Sequence, residues 1–301
     1  MKRIALVLLA ALIPIARGQI GSDSLDYPVG ETLFGKTSPS GNLWSTAGTS
    51  LTTAADQQAV IGLNNLSVAG LAASSGNSLE FGPLDGPSPR FNFGTTISSG
   101  TVYFSFAMSV ADLGALGTSG GFLAGFNNST GDTSPRPTAA ATRVYTRATG
   151  DGGFNLGLSR NSGSGGTHWQ WDARRFETGE TIFLVGSYTF VSGTLNDVSK
   201  LWINPDASTF GSAIEPAATL LSDQTTLGTT ADFGNIPSFI FFQRGSASAG
   251  LQPGKTVVDE LRIGLSWGEV TPAVPEPGTF TLAGLAMAAL AGWFRLQRKS
   301  R

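Results

Sequence analysis

Thr101-Val102-Tyr103-Phe104-Ser105-Phe106-Ala107-Met108-Ser109-Val110 is the stretch on which the fold turns. Large apolar residues stand at 102, 104, 106, 108 and 110, with Tyr103, Ser105, Ala107 and Ser109 between them. Side chains of an extended chain point to alternate faces, so a period of two gathers the large residues on one face of a strand. Phe104 and Phe106 are therefore expected in a core, where truncating either to Ala would cost about 3–5 kcal/mol.

The same period appears on both sides of this stretch. Arg90-Phe91-Asn92-Phe93 alternates before the Ser98-Ser99-Gly100 turn, and Phe122 to Phe126, Thr142 to Arg147 and the Phe154, Leu156, Leu158 set follow as short strands. Asp151-Gly152-Gly153 supplies hairpin chemistry. Further on, Glu180 to Phe190 reads as a long strand, Gly193 to Asp197 as a turn and Val198 to Asn204 as its antiparallel partner, ended by Pro205. Residues 206–237 read as loop with weak alternation at Ala218 to Leu221. The consecutive apolar residues Phe239-Ile240-Phe241-Phe242 fit a strand buried on both faces. Val257 to Leu265 closes the set, with Leu261, Ile263 and Leu265 expected inward and Glu260 and Arg262 outward. Apart from a turn near Ala54 to Ala59 no segment between 19 and 272 reads as helix, and no fixed-period repeat occurs. The expected fold class is all-β, an antiparallel sandwich over residues 19–270.

Composition narrows the function. Residues 19–272 hold 20 Asp and Glu against 12 Lys and Arg, a net charge of −8. Nucleic-acid binding, which needs a concentrated cationic face, is not expected. The absence of cysteine excludes disulfides, thiolate metal sites and a Cys nucleophile. A domain of this size can bury a stable core without them.

Gly179-Glu180-Thr181-Ile182-Phe183-Leu184-Val185-Gly186-Ser187-Tyr188, Leu201-Trp202-Ile203-Asn204-Pro205 after Asn196-Asp197, and Val258-Asp259-Glu260-Leu261-Arg262-Ile263-Gly264 resemble the concanavalin A-like or laminin G-like jelly rolls of bacterial surface proteins. The resemblance implies a two-sheet sandwich of a dozen or so strands. It leaves function open, because such domains include sugar binders, glucanases and inert modules.

The glucanase branch of that superfamily carries Glu-x-Asp-x-x-Glu on one strand, a spacing this chain lacks. Asp259 and Glu260 are adjacent, hence on opposite faces. Gly117-Thr118-Ser119-Gly120-Gly121 matches the Gly-x-Ser-x-Gly pattern, with Asp132, Asp151 and His168 following, but it lies in a turn between β segments and lacks the strand-turn-helix setting of a nucleophile elbow. No catalytic residue is assigned and no enzymatic activity is expected. His168 is the one histidine. Beside it Trp169 and Trp171 share a strand face, which suits a platform for stacking a sugar ring and better suits two core tryptophans on an alternating strand. No cofactor or metal is assigned. Asn196, Asp197 and Asp259 offer oxygens to calcium, which many jelly rolls bind, but turn chemistry explains them as well.

The ends are basic and apolar. Met1-Lys2-Arg3, an apolar run from Ile4 to Ala16 and Ala16-Arg17-Gly18 read as a signal peptide over 1–18, cleaved before Gln19. At the other end Val274, Pro275, Glu276 and Pro277 close a short linker over 271–277. An uncharged run of 17 residues, Gly278 to Phe294, follows, and Arg295, Arg298, Lys299 and Arg301 end the chain. As a helix the run covers about 25 Å, just enough to span a membrane, and the cations should stay cytoplasmic with the domain outside. Together these parts closely resemble the PEP-CTERM sorting signal of Gram-negative bacteria. That resemblance implies an exosortase as partner, transient anchoring in the inner membrane with the domain in the periplasm, and a final place at the cell surface or in the extracellular matrix. Two classes of function fit: a non-enzymatic surface or matrix component delivered by the sorting tail, with extracellular polysaccharide as the ligand it could bind, which is the reading expected; and a secreted carbohydrate-active enzyme, a hydrolase or lyase.

Overall fold

The computed structural model describes residues 19–49, 58–63, 65–135, 139–161, 169–223, 231–243 and 254–274. The expected signal peptide, most of the 54–59 turn, His168, the Pro-Glu-Pro segment, the apolar run and the basic tail lie outside the described residues.

Among the described residues fifteen strands form two antiparallel sheets. One sheet has seven strands, ordered β10 (Gln170–Trp171), β9 (Phe154–Asn161), β8 (Ala140–Ala148), β7 (Gly121–Asn127), β14 (Ile236–Phe241), β5 (Ser88–Ile97) and β2 (Trp44–Ala47). The other has eight: β13 (Leu220–Ser222), β12 (Val198–Ile203), β11 (Ile182–Phe190), β6 (Gly100–Asp112), β15 (Lys255–Gly264), β4 (Ser78–Phe81) and β3 (Val60–Gly62), with β1 (Gly21–Asp23) also on β15. Among the described residues helix is confined to the single turn α1 (Trp267–Val270) and a 3-10 turn at Ala207–Thr209.

The quoted stretch becomes β6, at the centre of its sheet between β11 and β15. Val102, Phe104, Phe106, Met108 and Val110 all lie in the core between the sheets, as the alternation requires. Phe104 meets Phe239 and Phe126 of the opposite sheet with ring centroids 4.9 and 5.2 Å apart, and Phe106 meets Phe241 edge-on at 5.3 Å. Gly186, the cross-strand partner of Phe104, is required here: a Cβ at 186 would stand 2.1 Å from the Phe104 ring.

The other face of β6 is buried as well. Tyr103 joins Leu71, Phe183, Val185, Trp202, Phe210, Trp267 and Val270 in a second apolar cluster on the outer side of the eight-stranded sheet. Ser105 donates to the Val270 carbonyl at 2.6 Å, and Trp267 donates its indole N–H to the Thr209 carbonyl at 2.8 Å. Loops around 66–72 and 205–216 together with α1 thus roof this face.

The last strand departs from the expected facing. Thr256 and Val258 point into the core, as do Leu261 and Ile263, so the phase flips between them. The flip is a bulge: pairing with β6 jumps between Asp259 and Arg262, and Glu260 takes a left-handed φ of 56°. Arg262 points outward yet is buried beneath the roof, and Leu265 is exposed because the strand has ended at Gly264. The bulge also divides the free edge of β15, which pairs with β4 through 256–258 and with β1 through 261–263.

Candidate functional site

The outer side of the seven-stranded sheet carries an aromatic row. Register places Trp171 beside Gly157, Gly157 beside Tyr145 and Tyr145 beside Phe122, one residue from each of β10, β9, β8 and β7. Phe242 continues it, with its ring 4.7 Å from Phe122. From β10 to β7 is three strand spacings, roughly 14 Å. Glycine at 157 makes the row possible, since a Cβ there would meet the Trp171 ring at 2.6 Å. Trp169 leans over Tyr145 with centroids 4.7 Å apart.

Trp169 and Trp171 are both half-buried and lie outside the central core. Their planes cross at 79°, so they form a corner and not a flat platform. The Trp169 indole N–H is buried with no hydrogen-bond partner among the described residues.

Arginines flank the row. Arg143 and Arg147 stand two residues to either side of Tyr145 on β8 and therefore on the same face. The Arg147 guanidinium lies 4.4 Å from the Trp171 ring centroid and donates to Asn155 at 3.2 Å. Among the described residues it has no carboxylate within ion-pair distance. Arg143 lies 5.0 Å from the Phe122 ring and reaches the Tyr145 hydroxyl at 3.4 Å. Arg90 of β5 is fully buried and ties the Gly131 carbonyl and Thr133 hydroxyl to the sheet; burial lowers its pKa. The strands of this sheet hold four arginines, counting the core-facing Arg160, and no Asp or Glu. Sequence reading found the tryptophans but missed Arg143, Tyr145 and Arg147, although Arg-x-Tyr-x-Arg at period two was there to be seen.

The other candidates serve separate local structures. Ser119 is exposed in the turn before β7, Asp132 accepts from the Thr46 N–H at 2.7 Å, and Asp151 pairs with Arg175 at 2.8 Å. Asp197 accepts from the Tyr188 hydroxyl and the Val191 N–H, while Asp232 accepts from the N–H groups of Asn196 and Asp197. These two carboxylates clamp the β11–β12 turn beside a recess of about 440 Å³. Both oxygens of the buried Asp259 accept backbone N–H groups, from Leu66 at 2.8 Å and Glu260 at 2.7 Å. Burial pushes this carboxyl up to about 7. No cluster of three or more His, Cys, Asp or Glu that could hold a metal occurs among the described residues.

The chain leaves the domain along its roofed face. Thr271 is fully buried and its carbonyl accepts from the Gly211 N–H at 2.6 Å. Ala273 forms an antiparallel bridge with Leu71, and the Val274 N–H donates to the Gly70 carbonyl at 3.2 Å. The first part of the expected 271–277 linker is therefore held on the domain.

Residues 273–299 match the PEP-CTERM protein-sorting motif. The chain carries a PEP-CTERM sorting signal. It is accordingly an exported protein, sorted by an exosortase at the membrane. No helix among the described residues is long and apolar enough to cross a membrane. No curated protein sequence matches the chain.

Similar solved structures include the endo-β-1,4-glucuronan lyase of Trichoderma reesei, at 11% identity and a TM-score of 0.44 over 85% of this chain and 99% of that one. A glycosyl hydrolase family protein of Mycobacterium fortuitum is similar at 13% identity and 0.40, over 82% and 99%. The binding domain of botulinum neurotoxin serotype D is similar at 11% and 0.42, over 83% of this chain and 48% of that one. With a lyase and a glycosyl hydrolase among these neighbours, the expectation that the chain is not an enzyme is overturned and withdrawn.

Proposed function

We propose that this exported protein engages an acidic polysaccharide outside the inner membrane, on the outer face of the seven-stranded sheet. The observation that carries the reading is the accessible end of the aromatic row, the half-buried Trp169 and Trp171, with the half-buried Arg143 and Arg147 beside it on β8; Tyr145 and Phe122 are buried and back these rings from beneath. Aromatic faces stack on the apolar faces of sugar rings, and guanidinium forks match carboxylates. The net charge of −8 over residues 19–272 would repel a polyanion elsewhere, so the acid-free strands of this sheet are the natural place for one. The half-buried Trp169 and Trp171 supply surface at the β10 end.

The test is binding of the purified protein to a polyuronate and to a neutral glucan, with Trp171→Ala and Arg147→Ala alongside. Retention on the polyuronate, weakened by both substitutions and by salt, supports the reading. Equal affinity for the neutral glucan, or indifference to both substitutions, sinks it.

A second reading, cleavage of the same polymer, rests on the contact between Arg143 and the Tyr145 hydroxyl. A guanidinium that neutralises a uronate carboxylate makes the neighbouring C–H more acidic; in the elimination the Tyr145 phenolic oxygen would take that proton and pass it to the departing glycosidic oxygen as the C–O bond breaks and a C=C bond forms. Unsaturated ends released by the wild type but not by Tyr145→Phe would establish it; intact polymer after prolonged incubation would exclude it.

The C-terminal signal adds a processing step to this reading. Exosortase would act at Pro275-Glu276-Pro277 and remove the apolar run and basic tail, 278–301. Loss of a C-terminal epitope in the wild type, and its retention when all three are changed to Ala, is the expected result; retention in the wild type would reduce the tail to an anchor.

A further inference from the structure

We propose that the fold masks the upstream edge of the sorting signal, so that exosortase grips the Pro-Glu-Pro segment only after residues 272–274 peel away from the domain. The proposal rests on the processing step described above.

The signal and the domain overlap. The matched motif begins at residue 273, yet Ala273 is bridged to Leu71 and the Val274 N–H is bound to the Gly70 carbonyl. An enzyme that holds an extended segment binds its backbone as an added strand would be bound. Proline has no N–H, so between Val274 and Pro277 only Val274 and Glu276 have one to offer. The one on Val274 is already used by the domain. Reach is short as well: from Val274 to Gly278 is four residues, at most about 14 Å when extended. A membrane-embedded enzyme must therefore work against the roofed face of the domain or draw the strap away from it.

The strap is built to open locally. Thr271 is fully buried and tied to Gly211, whereas residues 272–274 are exposed and held by one bridge. Such an edge can fray while the sandwich beneath it stays folded. Thr271 is the fixed end and the exposed Val274 the loose one.

The absence of cysteine makes the test clean. Partners across an antiparallel bridge lie roughly 4.5–5.5 Å apart at Cα, within the range a disulfide spans, and the exported compartment permits one. The full chain carrying Leu71→Cys and Ala273→Cys, with each single variant as control, is expressed in a host that makes an exosortase, and loss of a C-terminal epitope is timed. The stapled protein should lose its tail at least about tenfold more slowly than the wild type, because the frayed state is no longer reached. A Gly-Ser insertion of about six residues between Val274 and Pro275, long enough to restore roughly 20 Å of extended reach, should rescue the stapled protein and hasten processing of the unstapled one. Stapled protein, with its disulfide verified by mass, that is processed at the wild-type rate overturns the proposal, as does an insertion that rescues nothing. If the double-cysteine chain fails to fold, the insertion alone decides: no acceleration overturns the proposal. A wild type that keeps its tail defeats the processing reading itself, an outcome distinct from processing that the staple does not slow.

Discussion

The two outer faces of the sandwich are made of the same kind of strand, and both bury an apolar cluster, but they differ in charge and in how far the cover extends. On the eight-stranded sheet the outer face is a second dry core, roofed by loops and α1, and its strands carry Asp23, Glu80, Asp112, Asp259 and Glu260. On the seven-stranded sheet the strands carry arginine and no acid, and the row ends in two half-buried tryptophans. The difference teaches that alternation alone does not say which face meets solvent. What decides it is which distant segments return to cover the sheet: the outer face of the eight-stranded sheet receives the chain on its way to the sorting signal, whereas on the seven-stranded sheet Phe122, Tyr145, Ile240 and Phe242 are buried and the β10 end stays half-open at Trp169 and Trp171.

The sharpest way to break this contrast is to truncate a large side chain on each face. Trp267→Ala on the roofed face removes a fully buried ring and should lower stability by about 3–5 kcal/mol, read by thermal or denaturant unfolding, with polysaccharide binding unchanged. A loss of binding with no loss of stability would reverse the roles assigned to the faces.

A pH series sharpens it further. Burial holds the Asp259 carboxyl up near 7, whereas in the unfolded chain it titrates near 4. Between those values the folded state keeps a proton that the unfolded state has released, so stability falls as pH rises across the window and is level above it. The swing should be of the order of 1–4 kcal/mol, and Asp259→Asn should flatten it. An unchanged pH profile in Asp259→Asn would show that the roof over this carboxyl is wetter than described.

At the half-open β10 end Trp171→Ala should weaken polyuronate binding about tenfold, near 1.4 kcal/mol, and disturb folding less than Trp267→Ala does. Equal destabilisation by the two would mean that Trp171 is a core residue after all. The smallest effect belongs to Arg147→Lys, which keeps the charge but loses the planar fork over Trp171: roughly 0.5–1 kcal/mol in binding, with the salt dependence retained.

Much of the fold was legible because its long strands repeat at period two. The run in β6 and the β11–β12 pair stand where alternation puts them, and the consecutive apolar residues Phe239 to Phe241 are buried on both faces of their strand. Strands β1 to β4, three or four residues each, are too short to show a period, and nothing local marks them. The phase flip in β15 was invisible for a different reason: a bulge inserts residues without changing composition, and Leu261 and Ile263 alone give no sign that Val258 shares their side. The candidate site was half legible. Trp169 and Trp171 stood out as aromatic, but their joining to Tyr145 and Phe122 depends on register across four strands, which no single segment encodes.

The bulge in β15 has a consequence in time. Because it splits one strand edge between β4 and β1 while the opposite edge pairs with β6, a segment near the end of the chain joins three that precede it by some 150 to 240 residues. Pairings so distant in sequence close slowly, and these cannot begin until residues 255–264 have been delivered. A chain crossing the membrane N-terminus first would thus remain an unclosed sheet through most of its passage. The strand that locks it ends nine residues before the sorting signal begins, so completion of the fold and arrival of the tail at the membrane would become nearly one event.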